Sequence, residues 1–578
     1  MVVATLRLAA PFSVKGSPVF TIVSNEILNQ RRILLEAAVG GAAIGLIGLV
    51  VSFYSMQVYD RVIPTGGLQT LMVLTLGSLF AIGIEWLARG ARTHLYEGLI
   101  NVVDQRLART VYLRLLSVRL DQLPRSVGSM AAQMRGYETV RSFLTQATGS
   151  MLVDLPFAII FLAVIGIVGG PLAGIPLLFL LMALAASRLM RNPIEASAKI
   201  GAQAGNFKTG LLVETIEGAE TIKSGQGGWR MLSRWLKLTS DARNAEFESR
   251  RSSEAFQHMM NVFQQVSYIL LVASGAWMAS RNQLTMGRLI ACSILAGRVL
   301  NPVSTLAAQT MQWAHVKAAL EGIDGIWRLE DDHHGHEPVV LEQLAGNYRF
   351  ANVRMAYGSQ VALQVPTLEI RHGERIGIVG PVGAGKTSLL RLLSGMYKPS
   401  DGQIFLDDVD LAHLSKPVLA HHVGYLQQEG RLFAGTLREN LTLGMIDPGD
   451  DQILQVARST GLMQAVIATH PKGLQQEIYE GGSGLSGGQR QLVNFTRVCL
   501  RHPTIWLLDE PTASVDTALE QQIINLLGQH LTPDATLVLV THKPDLLKLV
   551  TRLIVVANHQ IVMDGPTEQV MARLQGAN

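Results

Sequence analysis

Cysteine is almost missing from this chain. Cys292 and Cys499 are the only two among 578 residues, and they fall in different expected domains. That excludes a disulfide-built scaffold and fits a reducing environment. Charge is thin as well: Asp, Glu, Lys and Arg make up 16% of the residues, against about 25% in an ordinary soluble domain. With 48% hydrophobic residues and a mean hydropathy of +0.26, this shortage excludes a plain soluble enzyme and points to a membrane protein carrying a soluble part. A strong charge of one sign is also absent. The net charge of +4 is too small at this length to argue for a nucleic-acid partner. The opening stretch MVVATLRLAAPFSVKGSPVF has no unbroken apolar core followed by a small-residue cleavage site, so no signal peptide is read there.

Long apolar runs fill the first half. They cover Ile33 to Tyr59, Thr70 to Leu87, Met151 to Gly170, Pro171 to Met190, Met260 to Ser280 and Met286 to about Thr305. Each approaches the roughly 20 residues that a helix needs to cross a bilayer core, so six membrane spans are expected. The connections between spans two and three and between spans four and five are long and rich in Arg and Lys, including Arg89, Arg109, Arg135 and Arg141 in the first. By the positive-inside rule these loops and both termini are cytoplasmic. Both loops read as helical continuations of the spans. Gly41 and Gly45 give span one a small-residue face for close helix packing, and Glu85 in span two has Arg89 one turn away as an ion partner.

The composition turns polar after Leu320. His333, His334 and His336 beside Asp331 and Asp332 form a group that a metal or plain solvent explains. Beyond about Asn347, strand-like and helix-like runs alternate, as in an α/β domain. The expected division is a cytoplasmic N-terminal segment at 1–32, a six-helix membrane domain at 33–325, a linker at 326–345 and an α/β domain at 346–578.

The chemistry sits in three stretches. GIVGPVGAGKTSLLRLL follows an apolar strand and has the G-x-x-x-x-G-K-[ST] spacing of a phosphate-binding loop, formed by Gly380, Pro381, Val382, Gly383, Ala384, Gly385, Lys386, Thr387 and Ser388. Its backbone N–H groups are suited to curl around a β-phosphate, with Lys386 on the β- and γ-phosphates and the Thr387 hydroxyl on Mg²⁺. TIWLLDEPTASVD ends a buried strand at Asp509, a Mg²⁺ carboxylate, and follows it with Glu510, which orients the attacking water and takes its proton. LVLVTHK ends another strand at His542, a γ-phosphate contact at a strand's carboxyl edge. A second glycine-rich helix start, EGGSGLSGGQRQL, is redundant within one pocket. It ceases to be so when two copies meet head to tail and Ser486, Gly487 and Gly488 of one close on the γ-phosphate held by Lys386 of the other.

These residues resemble an ATP-binding-cassette transporter, with LSGGQ, Leu485 to Gln489, as its signature. The resemblance covers essentially the whole chain as an exporter half-transporter, so the fold it implies is a membrane α-helical bundle followed by an α/β P-loop cassette. It further implies ATP with Mg²⁺, a homodimer, Tyr357 stacked on adenine, Gln428 as a Mg²⁺-sensing glutamine, Asp516 as an aspartate at the dimer seam and Glu480 as a contact to the membrane domain. Departures from the pattern are Gln427, Leu492, Asn494, Thr496 and Val515.

Two further stretches, MQVYDRVIPTGGLQTLMVLTLG and LTMGRLIACSILAGRVLNPV, look like the inner-membrane ATPases of type I secretion. That resemblance implies export of a secreted polypeptide from a bacterial inner membrane, in concert with a periplasmic adaptor and an outer-membrane channel. About thirty residues precede the first span and no Cys occurs before Cys292, so a cysteine-peptidase domain ahead of the spans is not expected. The helical loops around Pro124–Met134 and Gly218–Gly228 are the expected coupling elements. Two other readings stay open: an exporter of lipid or small amphipathic molecules, and a nucleotide-gated scaffold without transport.

Overall fold

The computed structural model describes residues 16–124, 126–333 and 337–576. They divide into two units, one of residues up to Val118 together with Pro124–Leu329, the other of Arg119–Leu123 together with Glu330 onward.

The first unit is helical: α1 (Pro18–Asn29), α2 (Arg31–Gln57), α3 (Leu68–Ser117), α4 (Val127–Met134), α5 (Gly136–Gly169), α6 (Gly174–Glu217), α7 (Ala219–Ser224), α8 (Gly228–Ser280) and α9 (Met286–Trp327). Among the described residues, four stretches are long and apolar enough to cross a membrane: Arg31–Thr65, Leu68–Ser117, Phe157–Leu189 and Gly228–Ser280. The third is broken by the turn Gly170–Ala173 and so belongs to both α5 and α6. The sixth expected span falls in α9, which runs on past Thr305 to Trp327. At 1.5 Å per residue, the 53 residues of α8 extend about 80 Å, far beyond a hydrocarbon layer of about 30 Å. The helices therefore continue outside any membrane.

Among the described residues, two of the buried apolar clusters are the largest in this unit. In one, Phe157, Phe161 and Ile165 of α5 pack with Leu289, Cys292 and Leu295 of α9. Small residues make the approach possible: a methyl on Gly45 would lie 2.2 Å from the Phe157 ring, and one on Gly48 2.3 Å from Arg298. In the other, Trp313 of α9 is buried among Val103 and Leu107 of α3, Phe143 of α5 and Val19 and Val23 of α1. The N-terminal stretch from Pro18 is thus part of the helical core rather than a separate segment. Its start is fixed by Ser17, whose hydroxyl accepts the Phe20 N–H at 3.1 Å, with Pro18 at the first helical position. Glu85 and Arg89 meet within α3 at 2.5 Å.

The two stretches that resemble type I secretion ATPases converge. After α2 the chain makes one π-helical turn, Val58–Val62. The Asp60 carboxylate at that turn accepts the Thr285 hydroxyl at 2.6 Å and the Gly287 N–H at 2.8 Å, while Thr285 caps α9. An anion at a helix N-terminus is favourable. Any side chain at Gly287 would run into the Met56 carbonyl, 2.4 Å away.

The second unit carries a ten-stranded sheet. Its strands are β1 (Tyr348–Tyr357), β2 (Gln360–Ile370), β3 (Arg375–Val379), β4 (Asp401–Leu406), β5 (Val409–Asp410), β6 (Val423–Leu426), β7 (Ile505–Asp509), β8 (Thr536–Val540), β9 (Arg552–Ala557) and β10 (Gln560–Pro566), in the order β5-β4-β1-β2-β10-β9-β3-β8-β7-β6. β9, β3, β8, β7 and β6 run parallel. β7 and β8 are buried at every position, which is why they read as unbroken apolar runs rather than as alternation. Helix α10 (Lys386–Leu393) follows β3, α11 (Gly487–Leu500) precedes β7 and α12 (Thr517–His530) follows it. The polar stretch after Leu320 splits accordingly: the unit boundary falls between Leu329 and Glu330, and Val339 pairs with Leu414.

Candidate nucleotide site

Three parallel neighbours bring the site together. Val540 is in register with both Ile378 and Asp509, so the carboxyl ends of β3, β7 and β8 lie side by side. The residues just past them are the loop Gly380–Gly385, then Glu510, then His542. A switch from strand to loop along one sheet edge is where α/β folds bind ligands.

The phosphate loop has the backbone its glycines allow. Gly380, Gly383 and Gly385 take φ values of 151°, 79° and 110°. A Cβ on Gly380 would sit 2.0 Å from the Val556 carbonyl, and one on Gly385 2.5 Å from that of Ala362. No other residue fits either position. Pro381, Val382 and Gly383 are exposed, whereas Ala384 and Ser388 are buried beneath the turn. The Lys386 ammonium donates to the carbonyls of Gly380 and Pro381 at 2.8 and 3.0 Å, bracing the loop from within. Burial pulls its proton affinity down, and the nearby Glu510 and Asp509 carboxylates oppose that.

Asp509 closes the strand in an apolar surround. Only 1% of it is exposed, and burial raises its carboxyl above the usual range, although the Thr387 hydroxyl donates to it. Its Oδ2 is buried with no hydrogen-bond partner. An orphaned carboxylate oxygen beside a hydroxyl is the donor set of a hard divalent cation such as Mg²⁺, so the residues present fit that ion.

Glu510 follows with a left-handed backbone, φ 48°, uncommon for a residue with a side chain. Its carboxylate accepts the Gln428 amide at 3.2 Å and lies 3.7 Å from His542 Nε2. Gln428, Glu510 and His542 therefore form one cluster. Sequence reasoning missed the residue that holds this turn. Gln491 on α11 is buried; its amide donates to the Glu510 carbonyl at 2.6 Å and accepts the Ser514 N–H at 3.0 Å. The only signal for it was its place two residues past the signature motif.

Other expected residues are placed differently. Tyr357 ends β1, with its hydroxyl accepting from Arg391 of α10 at 2.9 Å. Ser486 and Gln489 form a reciprocal capping box at the start of α11: the Ser486 hydroxyl accepts the Gln489 N–H at 3.2 Å, and the Gln489 side chain accepts the Ser486 N–H at 2.9 Å. Gly488 lets α11 reach the Ser514 carbonyl, which a Cβ would meet at 2.5 Å, while a Cβ on Gly487 would touch the Ser514 side chain at 3.9 Å. Asp516 caps α12 by accepting the Leu519 N–H at 2.9 Å. Glu480 is exposed and pairs with Arg431 at 3.4 Å. Among the described residues, no hydrogen bond links Ser486–Gln489 to the phosphate loop of the same chain. His334 and His336 lie outside the described residues, and no group of three or more potential metal ligands occurs among those described.

Residues 34–303 match the family described as ABC transporter transmembrane region, and residues 363–513 match the family ABC transporter. The chain is 28% identical to the alpha-hemolysin translocation ATP-binding protein HlyB of Escherichia coli O157:H7, over 95% of its own length and 78% of that protein's. It is 27% identical to the toxin RTX-I translocation ATP-binding protein of Actinobacillus pleuropneumoniae, over 96% and 79%. Among solved structures, a bacterial Atm1-family ABC exporter with ATP bound superimposes with a TM-score of 0.84 at 22% identity, covering 94% of this chain and 96% of that one.

Proposed function

The chain belongs to the ABC transporters, a multi-pass membrane protein whose cassette binds ATP and couples its hydrolysis to export, and we propose that its cargo is a polypeptide and its setting a type I secretion system. The observation that carries this reading is similarity along almost the whole chain to proteins named for toxin translocation.

The working unit is a homodimer in a bacterial inner membrane, with cassettes and termini cytoplasmic and with a periplasmic adaptor and an outer-membrane channel as further partners. In each cassette the loop Gly380–Ser388 holds the phosphates through backbone N–H groups, and Lys386 exchanges its loop carbonyls for phosphate oxygens. Glu510, oriented by Gln428 and held in its turn by Gln491, takes the proton of the attacking water. His542 contacts the γ-phosphate. Thr387, Gln428 and Asp509 would hold Mg²⁺, which would neutralise negative charge on the phosphates. Tyr357 faces the base. The Ser486 loop and Asp516 of the second copy complete each site, so the closed dimer forms only around nucleotide. The coupling elements are the short helices α4 and α7 with their flanking residues.

Deleting the gene and comparing culture media tests the reading. At least one polypeptide disappears from the medium and accumulates inside the cell. An unchanged medium alongside retention of a lipid or small amphipathic molecule would overturn it in favour of that cargo.

A further inference from the structure

Span five carries polar groups that lipid does not tolerate. Asn261, Gln264, Gln265 and Tyr268 recur on α8 at spacings of three and four, which places them on one helix face. They lie inside the apolar run Met260–Ser280. Carboxamides in hydrocarbon leave donors and acceptors unpaired at a steep cost, so such a face belongs against protein or in a water-filled space. The structure supplies the space. A cleft of about 540 Å³ opens between α8 and α9, lined by these four residues and Ser267, with Gly297 of α9 on its other wall.

Two details indicate that the cleft is built for an occupant. Ser267 is fully buried, yet its hydroxyl has no hydrogen-bond partner. Serines inside helices can bond a carbonyl three or four residues back; this one does not, and it lies in the lining of the cleft. Gly297 faces open space, since a Cβ there meets nothing within 4 Å. Its small size is not required by packing and instead keeps the cleft clear. The volume falls within the range of small-ligand sites and is far too small for a folded domain.

The lining sets the chemistry of what fits. Among the described residues it contains no acidic or basic side chain. The neighbouring Arg298 guanidinium lies against Gly48 of α2 instead. A phosphate or carboxylate ligand calls for arginine or lysine, and an acyl chain calls for no amides at all. Asparagine and glutamine each present a donor and an acceptor together. The matching partner is neutral and offers both along its length, as the peptide backbone does at every residue other than proline. We propose that this cleft binds an extended, uncharged stretch of the exported polypeptide through its main chain, an inference that rests on the polypeptide reading above. Recognition through backbone groups suits a site that successive, unrelated segments must enter and leave.

Binding measurements on the full-length protein in nanodiscs test this, with basal ATPase followed in parallel. The two probes are a fluorescent unstructured Gly/Ser/Thr peptide and a short-chain phosphatidylglycerol. Wild type is expected to bind the peptide. The combined variant Asn261→Leu, Gln264→Leu, Gln265→Leu weakens that binding by roughly tenfold or more, as loss of several hydrogen bonds implies. Gly297→Trp, whose Cβ enters open space, fills the cleft and blocks it. Basal ATPase stays within about twofold, because none of these residues belongs to the nucleotide site. Should the combined variant fail to fold, Gly297→Trp carries the test alone. Peptide binding as tight as wild type in the folded variants overturns the cleft and leaves the polypeptide reading standing. Wild type that binds the lipid but not the peptide overturns both.

Discussion

At the scale of single residues, the nucleotide site holds two groups in unfavourable states, and each gives a prediction. Asp509 is the first. Burial raises its carboxyl, so the fold favours the protonated form. A carboxyl of that kind adds stability below the ordinary carboxylate range and loses it as pH rises through its raised folded value. At neutral pH without nucleotide, Asp509→Asn therefore melts higher than wild type, by about 2–4 °C for a cassette of this size. The gap narrows as pH falls toward the ordinary carboxylate range. Adding Mg²⁺ with ATP reverses the order, because only wild type gains the cation. A lower melting temperature for the variant at neutral pH would contradict the assignment of that orphaned oxygen. Glu510 is the second group. Its left-handed backbone is held by the Gln491 amide, so two variants separate chemistry from positioning. Glu510→Gln still binds ATP but hydrolyses it about 10²–10⁴-fold more slowly, the usual worth of a general base. Gln491→Met, similar in shape but without the amide, lowers kcat by about tenfold with little change in KM for ATP. Equal losses in kcat and KM for Gln491→Met would mean that it only supports the fold.

At the scale of elements, glycines decide how closely helices approach, and their surroundings distinguish those that matter. Gly45 and Gly77 are both helical, but a methyl on Gly45 would penetrate the Phe157 ring, while one on Gly77 meets nothing within 4 Å. Gly45→Ala is expected to cost about 1–3 kcal/mol through overpacking between α2 and α5. Gly77→Ala costs nothing and raises helix propensity. Thermal melting in detergent compares the two; equal effects would remove the packing argument. The same contrast explains what the sequence made legible. The phosphate loop, the Asp509–Glu510 pair and the signature are contiguous, and each takes its meaning from neighbours within a few residues. The six apolar runs are likewise local averages. Pairings across the chain were not legible: Asp60 meets Gly287 227 positions on, and α1 is buried against Trp313. The departures Asn494 and Thr496 also had no visible reason. In the fold, Asn494 donates to the Gly430 carbonyl at 2.9 Å, beside Gln428, and Thr496 meets Thr460 at 2.8 Å. Each polar replacement is answered by a polar partner on another segment.

At the scale of the whole molecule, the question is whether one chain contains a complete site. Within the chain, the Ser486 hydroxyl and the Gln489 side chain are occupied with capping α11, and the phosphate loop has its own lysine braced on carbonyls. The seam proposed above divides these parts between copies, which predicts complementation. Lys386→Ala removes the phosphate contact and Ser486→Arg blocks the facing loop, so each homodimer is inactive. In a mixed dimer, one site receives both lesions and the other receives neither. Random pairing of equal amounts makes half of the dimers mixed, each with one of two sites intact, so hydrolysis recovers to about a quarter of the wild-type rate. The measurement is ATPase activity of coexpressed variants in nanodiscs, compared with the two preparations purified separately and then combined without exchange of subunits. If both loops served the nucleotide of their own chain, every chain would carry a lesion in its only site, and coexpression would restore nothing.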